Sequence, residues 1–350
     1  MKTLTAAAVA LVLTGVAAVL SAGASGPNAD ARSNAPPRLV ETGLYLPDRP
    51  GTVDPRNRPF VPQYPLWSDG AAKSRWVYLP PGASVDGRDE GAWEFPAGTK
   101  FWKEFRFEGR KVETRLLWKA AAEQWVMASY VWNEAQNEAT LAPAAGVRGV
   151  AAVAPGRRHN IPGVNDCAAC HGARRTEVLG FTALQLSPDR DPRALHAEAP
   201  VPGMLTLDEL VSRRMLAGSR ADLAAAPPRI ESRNPETRAA LGYLATNCGS
   251  CHNGRGEITA DFPSLRWTDV RRDPDEVARR LLNYPTSWQV PGTQGRSVLI
   301  RPGDAQASAL HARMRSRQPS SQMPPLGTVL RDDAALAAIA RWIGDPRFQD

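Results

Sequence analysis

All four cysteines of the chain lie in two copies of one short pattern, Cys-x-x-Cys-His. The residues that carry this pattern are Cys167, Cys170, His171, Cys248, Cys251 and His252. Two cysteines three residues apart face one side of a helical turn, so both thiols can form thioethers with the vinyl groups of one haem. The histidine that follows then points its imidazole at the iron as the proximal ligand. The sequence therefore predicts two covalently bound haem c groups.

Other roles for paired cysteines fit this sequence less well. A thioredoxin-like redox motif expects a βαβ context, and neither copy has one. A structural zinc site usually has about 12–20 residues between its two cysteine pairs, whereas residues 172–247 separate the two motifs here. Disulfides within each pair would leave the repeated histidine unexplained. The cysteine pattern thus indicates a diheme cytochrome c.

The sixth ligand of the second haem has one strong candidate. Met323 precedes two prolines in a loop before the last helix, where ordinary core packing has little use for it. Such a loop can hold a thioether over a haem face, and a methionine ligand raises the reduction potential relative to histidine. We predict Met323 as this ligand, with a role as core filler as the alternative.

No comparable loop follows the first motif, so its sixth ligand is less clear from the sequence. His196 lies in a polar, Pro-rich loop at 191–202, where it has no packing role. We predict His196 as an iron ligand of the first haem, with simple solvent exposure as the alternative. The other candidates for this position are His159, Met204, Met215 and Met127.

The N-terminus has the features of an export signal. An apolar run from Ala6 to Leu20 follows Lys2, and it is too short to span a bilayer comfortably. Ala22-Gly23-Ala24 matches the small-x-small cleavage rule. We predict a signal peptide at residues 1–24, with an uncleaved anchor as the alternative. The mature protein is expected to be soluble and periplasmic, without an integral membrane segment.

Composition limits the classes of partner. The 350 residues are 43% hydrophobic and 23% charged, which excludes collagen-like and wholly disordered chains. The net charge is +7, but the arginines are scattered among acidic residues, so no nucleic-acid partner is expected. The expected partners are periplasmic redox proteins that donate and accept electrons. The positive balance could steer acidic partners toward the surface.

The first half of the chain has the pattern of an antiparallel β-domain. Residues 25–60 are interpreted as a linker or extended arm, and residues 61–150 as a β-rich domain in which aromatic and β-branched runs alternate with turns. Seven of the ten tryptophans fall in this part, and we interpret them as core packing. The predicted strands are Arg75–Leu79, Lys100–Phe107, Lys111–Trp118 and Gln124–Trp132.

From about residue 156 the apolar spacing becomes helical. Thr206 opens a capping box, Asn234 and Asp273 each precede a proline at a first helical position, and a last helix begins near Asp332. We assign residues 156–233 to the domain of the first haem and residues 234–350 to that of the second. The predicted fold is therefore multidomain, with an N-terminal antiparallel all-β domain followed by two all-α haem domains.

Several further stretches resemble one protein family. The chain resembles bacterial exported diheme c-type cytochromes, largely uncharacterised, that carry a β-rich domain in front of their haem domains. The resemblance extends from about Gly43 to Ile343. It rests on residues 65–71, 95–99, 113–117, 130–133, 161–162, 178–181, 301–304 and 323–325, besides the two cysteine motifs. It implies two cytochrome-c-like haem folds, electron transfer, His171 and His252 as proximal ligands, and Met323 as a distal ligand.

Three roles follow from these features. An electron carrier would pass single electrons between a periplasmic oxidoreductase and an acceptor. A peroxidase-like diheme enzyme would need an open or displaceable ligand at the first haem and an acid–base group beside it. The sequence shows no partner carboxylate placed beside either His159 or His196, so we favour the carrier. A docking role, in which the β-domain binds a dehydrogenase, is compatible with it.

Overall fold

A six-stranded antiparallel sheet forms the centre of the fold. The computed structural model describes residues 35–171, 178–220, 222–254 and 262–348, so the predicted signal peptide lies outside the described residues. The strands in chain order are β1 (Tyr45–Leu46), β2 (Arg49–Val53), β3 (Arg58–Pro59), β4 (Ala72–Tyr78), β5 (Val85–Asp86), β6 (Lys100–Phe107), β7 (Arg110–Ala121), β8 (Gln124–Trp132), β9 (Ala139–Leu141), β10 (Val147–Ala154), β11 (Arg157–Ile161) and β12 (Leu216–Ala217). The sheet has the order β3-β4-β6-β7-β8-β9, and the other strands pair as β1–β2, β10–β11 and β5–β12.

The four predicted strands are confirmed. The predicted bounds of β6 and β8 agree with the structure, and β4 and β7 differ from it by a few residues. Alternate side chains on one face of the sheet, including Trp102, Leu116 and Tyr130, are buried against Leu39 and Leu44 of the preceding segment. The interpretation of the tryptophans as core residues is confirmed for those that are buried, which are Trp93, Trp102 and Trp132.

The other face of the sheet is covered by residues that follow the first cysteine motif. Val77 and Phe101 lie in one buried cluster with Phe181 and Leu205. The rings of Phe101 and Phe181 meet at 5.2 Å in an edge-on arrangement, which is favourable for aromatic pairs. The sheet and the chain that follows the first motif therefore share one hydrophobic core.

The helices are short, and the predicted starts of four of them are confirmed. They are α1 (Val164–His171), α2 (Leu207–Ser212), α3 (Pro235–Asn247), α4 (Trp267–Arg272), α5 (Pro274–Leu281), α6 (Ala309–Arg315) and α7 (Asp333–Gly344). The side chains of Thr206, Asn234, Asp273 and Asp332 each accept a backbone N–H of the first turn of their helix. These N-caps satisfy amides that have no intrahelical partner, which is why the helices begin there.

The predicted fold class is wrong in its second half. The described chain is β-rich with seven short helices, the longest of 13 residues, and it does not form two all-α cytochrome-c-like domains. Between residues 178 and 233 the described residues form only the six-residue α2 and the strand β12, which pairs in parallel with β5. The cap signals mark where helices start. Between the first motif and α3, however, apolar residues such as Phe181 and Leu205 pack on Val77 and Phe101 of the sheet instead of forming a separate helical domain.

A second core forms around α3 and α7. Leu241 and Leu244 of α3 are buried with Ile339 and Trp342 of α7. The Trp342 indole donates to the Thr237 hydroxyl at 3.0 Å, which gives this buried N–H a partner. In the ranges that the structure describes, no helix has the length and apolarity needed to cross a membrane.

Candidate functional site

The first motif lies at the end of α1, which stands against β8. Helical spacing places Cys167 and Cys170 on one side of the last turn, with His171 next to them. The loop before α1 packs tightly, because a Cβ at Gly163 would meet the Ala144 carbonyl oxygen at 2.6 Å. This close approach fixes where the helix leaves the sheet.

The second motif continues the turn at which α3 ends. The N–H groups of Cys251 and His252 both donate to the Cys248 carbonyl, at 3.1 and 2.8 Å, so both thiols can face the same side. A Cβ at Gly249 would lie 2.4 Å from the Ala245 oxygen and 2.5 Å from the Leu265 oxygen. Only glycine therefore fits at this position of the motif.

The fold brings Cys170 close enough to Cys251 for the two to interact electrostatically, although 76 residues separate the motifs in the sequence. Burial, and then the charge of Cys251, raise the pKa of the Cys170 thiol to about 11. Burial and the same neighbour raise the pKa of Cys248 to about 12. No disulfide joins the cysteines of either pair, and all four are half-buried.

His252 lies in an environment suited to an iron ligand. Its ring packs on Phe262 at 4.1 Å, and its buried Nδ1 has no hydrogen-bond partner within the described ranges. Burial lowers the pKa of His252, and the nearby positive charge of Arg313 lowers it further. Both effects favour the neutral imidazole, which is the form that binds a metal.

The Met323 loop is anchored on α6, the helix that carries Arg313. The Met323 N–H donates to the Arg313 carbonyl at 3.0 Å, and the Arg317 guanidinium donates to the Met323 carbonyl at 3.3 Å. The Arg313 Nε also donates to the Ser321 carbonyl at 3.1 Å. The predicted distal methionine is therefore hydrogen-bonded to the helix whose Arg313 also lowers the pKa of His252.

His196 lies against the sheet, with its Nε2 bound by a carboxylate. This nitrogen is 2.8 and 2.9 Å from the two carboxylate oxygens of Asp332, and the ring lies on Trp67 at 4.9 Å. Asp332 also caps α7. An iron that approached Nε2 would compete with this carboxylate. The pairing of His196 with Asp332 has no signal in the sequence, since 136 positions separate the two.

His159, one of the other candidates, is occupied on both ring nitrogens. Its Nδ1 is 3.0 Å from the Asp69 carboxylate and its Nε2 is 2.9 Å from that of Glu113. All three side chains are almost completely buried. Burial on its own lowers the pKa of His159, but the two carboxylates outweigh it and the pKa is raised. The sequence expectation that no carboxylate stands beside this histidine is wrong.

Asp69 and Glu113 are functional candidates that sequence reasoning missed. The second oxygen of Asp69 accepts the N–H groups of Val329 and Leu330, at 2.7 and 2.9 Å. This carboxylate therefore links the chain that follows the Met323 loop to His159. Nearby positive charge, chiefly from Arg115, outweighs the burial that would raise the pKa of Glu113 and lowers it.

The remaining methionine candidates have ordinary packing roles. Met127 is a buried residue of β8, and Met215 packs against the core that holds Phe181. Met204 is half-buried next to the buried Leu205. None of the three shares a described hydrogen bond or ring contact with either cysteine motif.

The residues of both motifs fit a covalently bound haem. Each offers two thiols that are not in a disulfide, on one turn with a histidine next to them, and His252 keeps a buried nitrogen without a described partner. Within the described ranges, no three His, Cys, Asp or Glu side chains are grouped so that they could hold a bare metal ion. No known protein family, curated protein or solved structure matches the chain.

Proposed function

We propose that this protein is an exported diheme c-type cytochrome that transfers single electrons between a periplasmic oxidoreductase and an acceptor. The observation that carries the proposal is that each of two Cys-x-x-Cys-His motifs places its thiols on one turn, with Cys170 and Cys251 close enough to interact electrostatically. Electron transfer between two cofactors requires a close approach. The resemblance to exported diheme cytochromes with a β-rich N-terminal part agrees with this reading, and so does the signal-like N-terminus.

Each residue of the two motifs has a defined part in this function. The cysteine pairs fix the cofactor, and His171 and His252 hold the two irons from the proximal side. Met323 holds the second iron from the distal side on a loop that three hydrogen bonds anchor to neighbouring backbone and side chains. When bound, the haem supplies a one-electron couple at its iron. With His252 and Met323 both bound, the second iron would have no open position for a substrate.

The proposal is tested by counting covalent haem. The full chain is expressed in a host with cytochrome c maturation, and haem is measured per chain as the pyridine haemochrome. We expect two haems in the wild type and one in the double variant Cys167→Ser/Cys170→Ser. The matched control, Ala168→Ser/Ala169→Ser, changes only the positions between the cysteines and should keep two. A wild-type protein without covalent haem would overturn the proposal.

A diheme peroxidase-like enzyme is the second candidate, and one contact favours it. The hydrogen-bonded pair His196–Asp332 is an arrangement that can take and return a proton. If His196 acts as a base instead of an iron ligand, the first iron keeps an open or displaceable position. Turnover of hydrogen peroxide by the diheme protein, lost in His196→Gln and kept in Met204→Leu, would support the enzyme over the carrier.

A further inference from the structure

A row of basic side chains crosses the sheet beside the first motif. Arg75, Lys103 and Arg115 stand directly opposite one another on β4, β6 and β7. Lys73 lies two residues before Arg75 and therefore points to the same side of the sheet. Like charges directly opposite each other destabilise a sheet. A row of like charges of this kind is stabilised when negative groups lie next to it.

The two arginines of the row have their own carboxylates. Arg75 binds Glu198 through two hydrogen bonds of 2.6 and 3.0 Å. Arg115 binds Glu113 through two hydrogen bonds of 2.6 and 3.0 Å. Each arginine therefore forms a two-point pair that neutralises its charge.

The two lysines are left without a counter-ion. Neither ammonium group makes a hydrogen bond or an ion pair with the described residues, and that of Lys103 lies 4.9 Å from the centre of the Phe105 ring. Burial, and then the charge of Arg75, lowers the pKa of Lys73 to about 8. The same two causes hold the pKa of Lys103 well below its usual value. Both lysines are half-buried and have no carboxylate within ion-pair distance among the described residues, so an anion with two negative groups would find two positive partners here.

The row faces the place where the first haem would be attached. The guanidinium of Arg115 is close enough to Cys167 and Cys170 to interact with both thiols electrostatically. A cavity of about 650 Å³ opens beside β4, and Lys73, Arg75 and His196 line it. There is therefore room next to Lys73 for part of a large ligand, and Lys103 lies on the neighbouring strand, directly opposite Arg75.

We propose that Lys73 and Lys103 bind the two propionate carboxylates of the haem attached at Cys167 and Cys170. This inference rests on the proposed function, since only a bound haem brings propionates to the row. A haem carries two carboxylates, and the row has two ammonium groups without a counter-ion. The pairing would give each ammonium group a carboxylate and each propionate a positive partner.

The test is the variant Lys103→Met in the diheme protein. Loss of a positive charge beside the propionates favours the ferric state, so the midpoint potential of the first haem should fall. We expect at least a tenfold change in its oxidised-to-reduced ratio at a fixed potential, which is about 59 mV for one electron. Lys103→Arg keeps the charge and should restore most of the shift. Lys100→Met is the matched control, because Lys100 lies on the same strand with its ammonium on the Thr42 carbonyl.

The outcomes separate the inference from the proposed function. Absence of covalent haem from the wild type overturns both. Two haems whose potentials do not move in Lys103→Met, or in Lys73→Met if the first variant matures poorly, overturn the inference alone. Free anions are tested with inorganic phosphate. If phosphate shifts the potential of the wild type but not that of Lys103→Met, the lysines bind a free dianion and the propionate assignment is wrong.

Discussion

His159 shows how strongly one residue can depend on its neighbours. Its two ring nitrogens bind carboxylates on either side, and Phe107 packs on the ring at 4.9 Å. The His159 side chain therefore stabilises the buried carboxylates of Asp69 and Glu113. Removing such a residue leaves both carboxylates buried without their partner, which costs more than the loss of one ordinary hydrogen bond.

We expect His159→Leu to lower the free energy of unfolding by about 3–5 kcal/mol at acidic pH, because it breaks buried charge pairs. The pKa of His159 is raised above its ordinary value of 6.5. Its contribution is therefore fully present below 6.5 and is lost as the pH rises through the raised pKa. The difference between wild type and variant in urea unfolding should shrink accordingly. Phe107→Leu removes a ring contact but no charge, so its effect should not change with pH. A pH-independent cost of His159→Leu would contradict this account.

In the proposed function, Met323 is the distal ligand of the second haem iron. We expect Met323→Ala to lower the midpoint potential of one haem, with at least a tenfold change in its oxidised-to-reduced ratio, about 59 mV. The reason is that a thioether ligand favours the ferrous iron. Redox titration with optical detection measures the shift, and Met204→Leu serves as the control. An unchanged potential in Met323→Ala would show that another residue holds the iron.

At the scale of elements, the two motifs depend on close backbone packing. The turn after α3 carries the second motif, and Gly249 allows it to approach the chain at Leu265. The N-cap Asn234 fixes the other end of the same helix, since its side chain accepts the Glu236 N–H at 2.9 Å. The position of the second pair of cysteines therefore depends on both ends of α3.

Gly249→Ala tests this packing. A methyl group there would overlap two carbonyl oxygens of the backbone, which cannot move aside as a flexible side chain can. We expect a loss of about 1–3 kcal/mol in stability, as for overpacked sites, and less than one haem per chain at the second motif. Haem content and thermal unfolding are measured on the same samples. Gly344→Ala, with no atom near the added methyl, is the control. Full haem content in Gly249→Ala would mean that the turn adapts.

Local signals in the sequence predicted the elements better than their arrangement. The bounds of β6 and β8 follow from side-chain alternation, and the starts of α2 and α3 follow from their caps. Each of these signals acts within a few residues. The pairing of β5 with β12 joins residues about 130 positions apart, and no local sequence pattern predicts it. For this reason the helical spacing after residue 156 led to the wrong expectation of separate all-α domains.

The residues of the candidate site show the same difference between local signals and long-range contacts. Both cysteine motifs, and the loop of Met323, are visible as short patterns. The carboxylates that contact His159 belong to Asp69 and Glu113, which are 90 and 46 positions away in the sequence. Asp332, which contacts His196, is 136 positions from it. These histidine–carboxylate pairs form only when the chain is packed around the sheet. They can be identified from the structure but not from a local sequence pattern.

At the scale of the whole molecule, Cys170 of the first motif and Cys251 of the second lie close enough to interact electrostatically. If two haems are held this close together, the charge on one iron changes the midpoint potential of the other, because the interaction between nearby charges is strong inside a protein. We expect the reduction of one haem to lower the midpoint potential of the other. Redox titration of the wild type and of Cys167→Ser/Cys170→Ser compares the second haem with and without its neighbour. Identical potentials in both proteins would contradict the close placement.

The most direct test of the central claim is low-temperature EPR of the purified ferric protein, with haem stoichiometry measured on the same sample. This spectrum reports the spin state and axial ligation of each iron separately. The account predicts two haems per chain and two low-spin signals, one of them of His/Met type and lost in Met323→Ala. A high-spin signal from one haem in the resting protein would contradict the closed electron carrier and point to an enzyme that acts at the first haem.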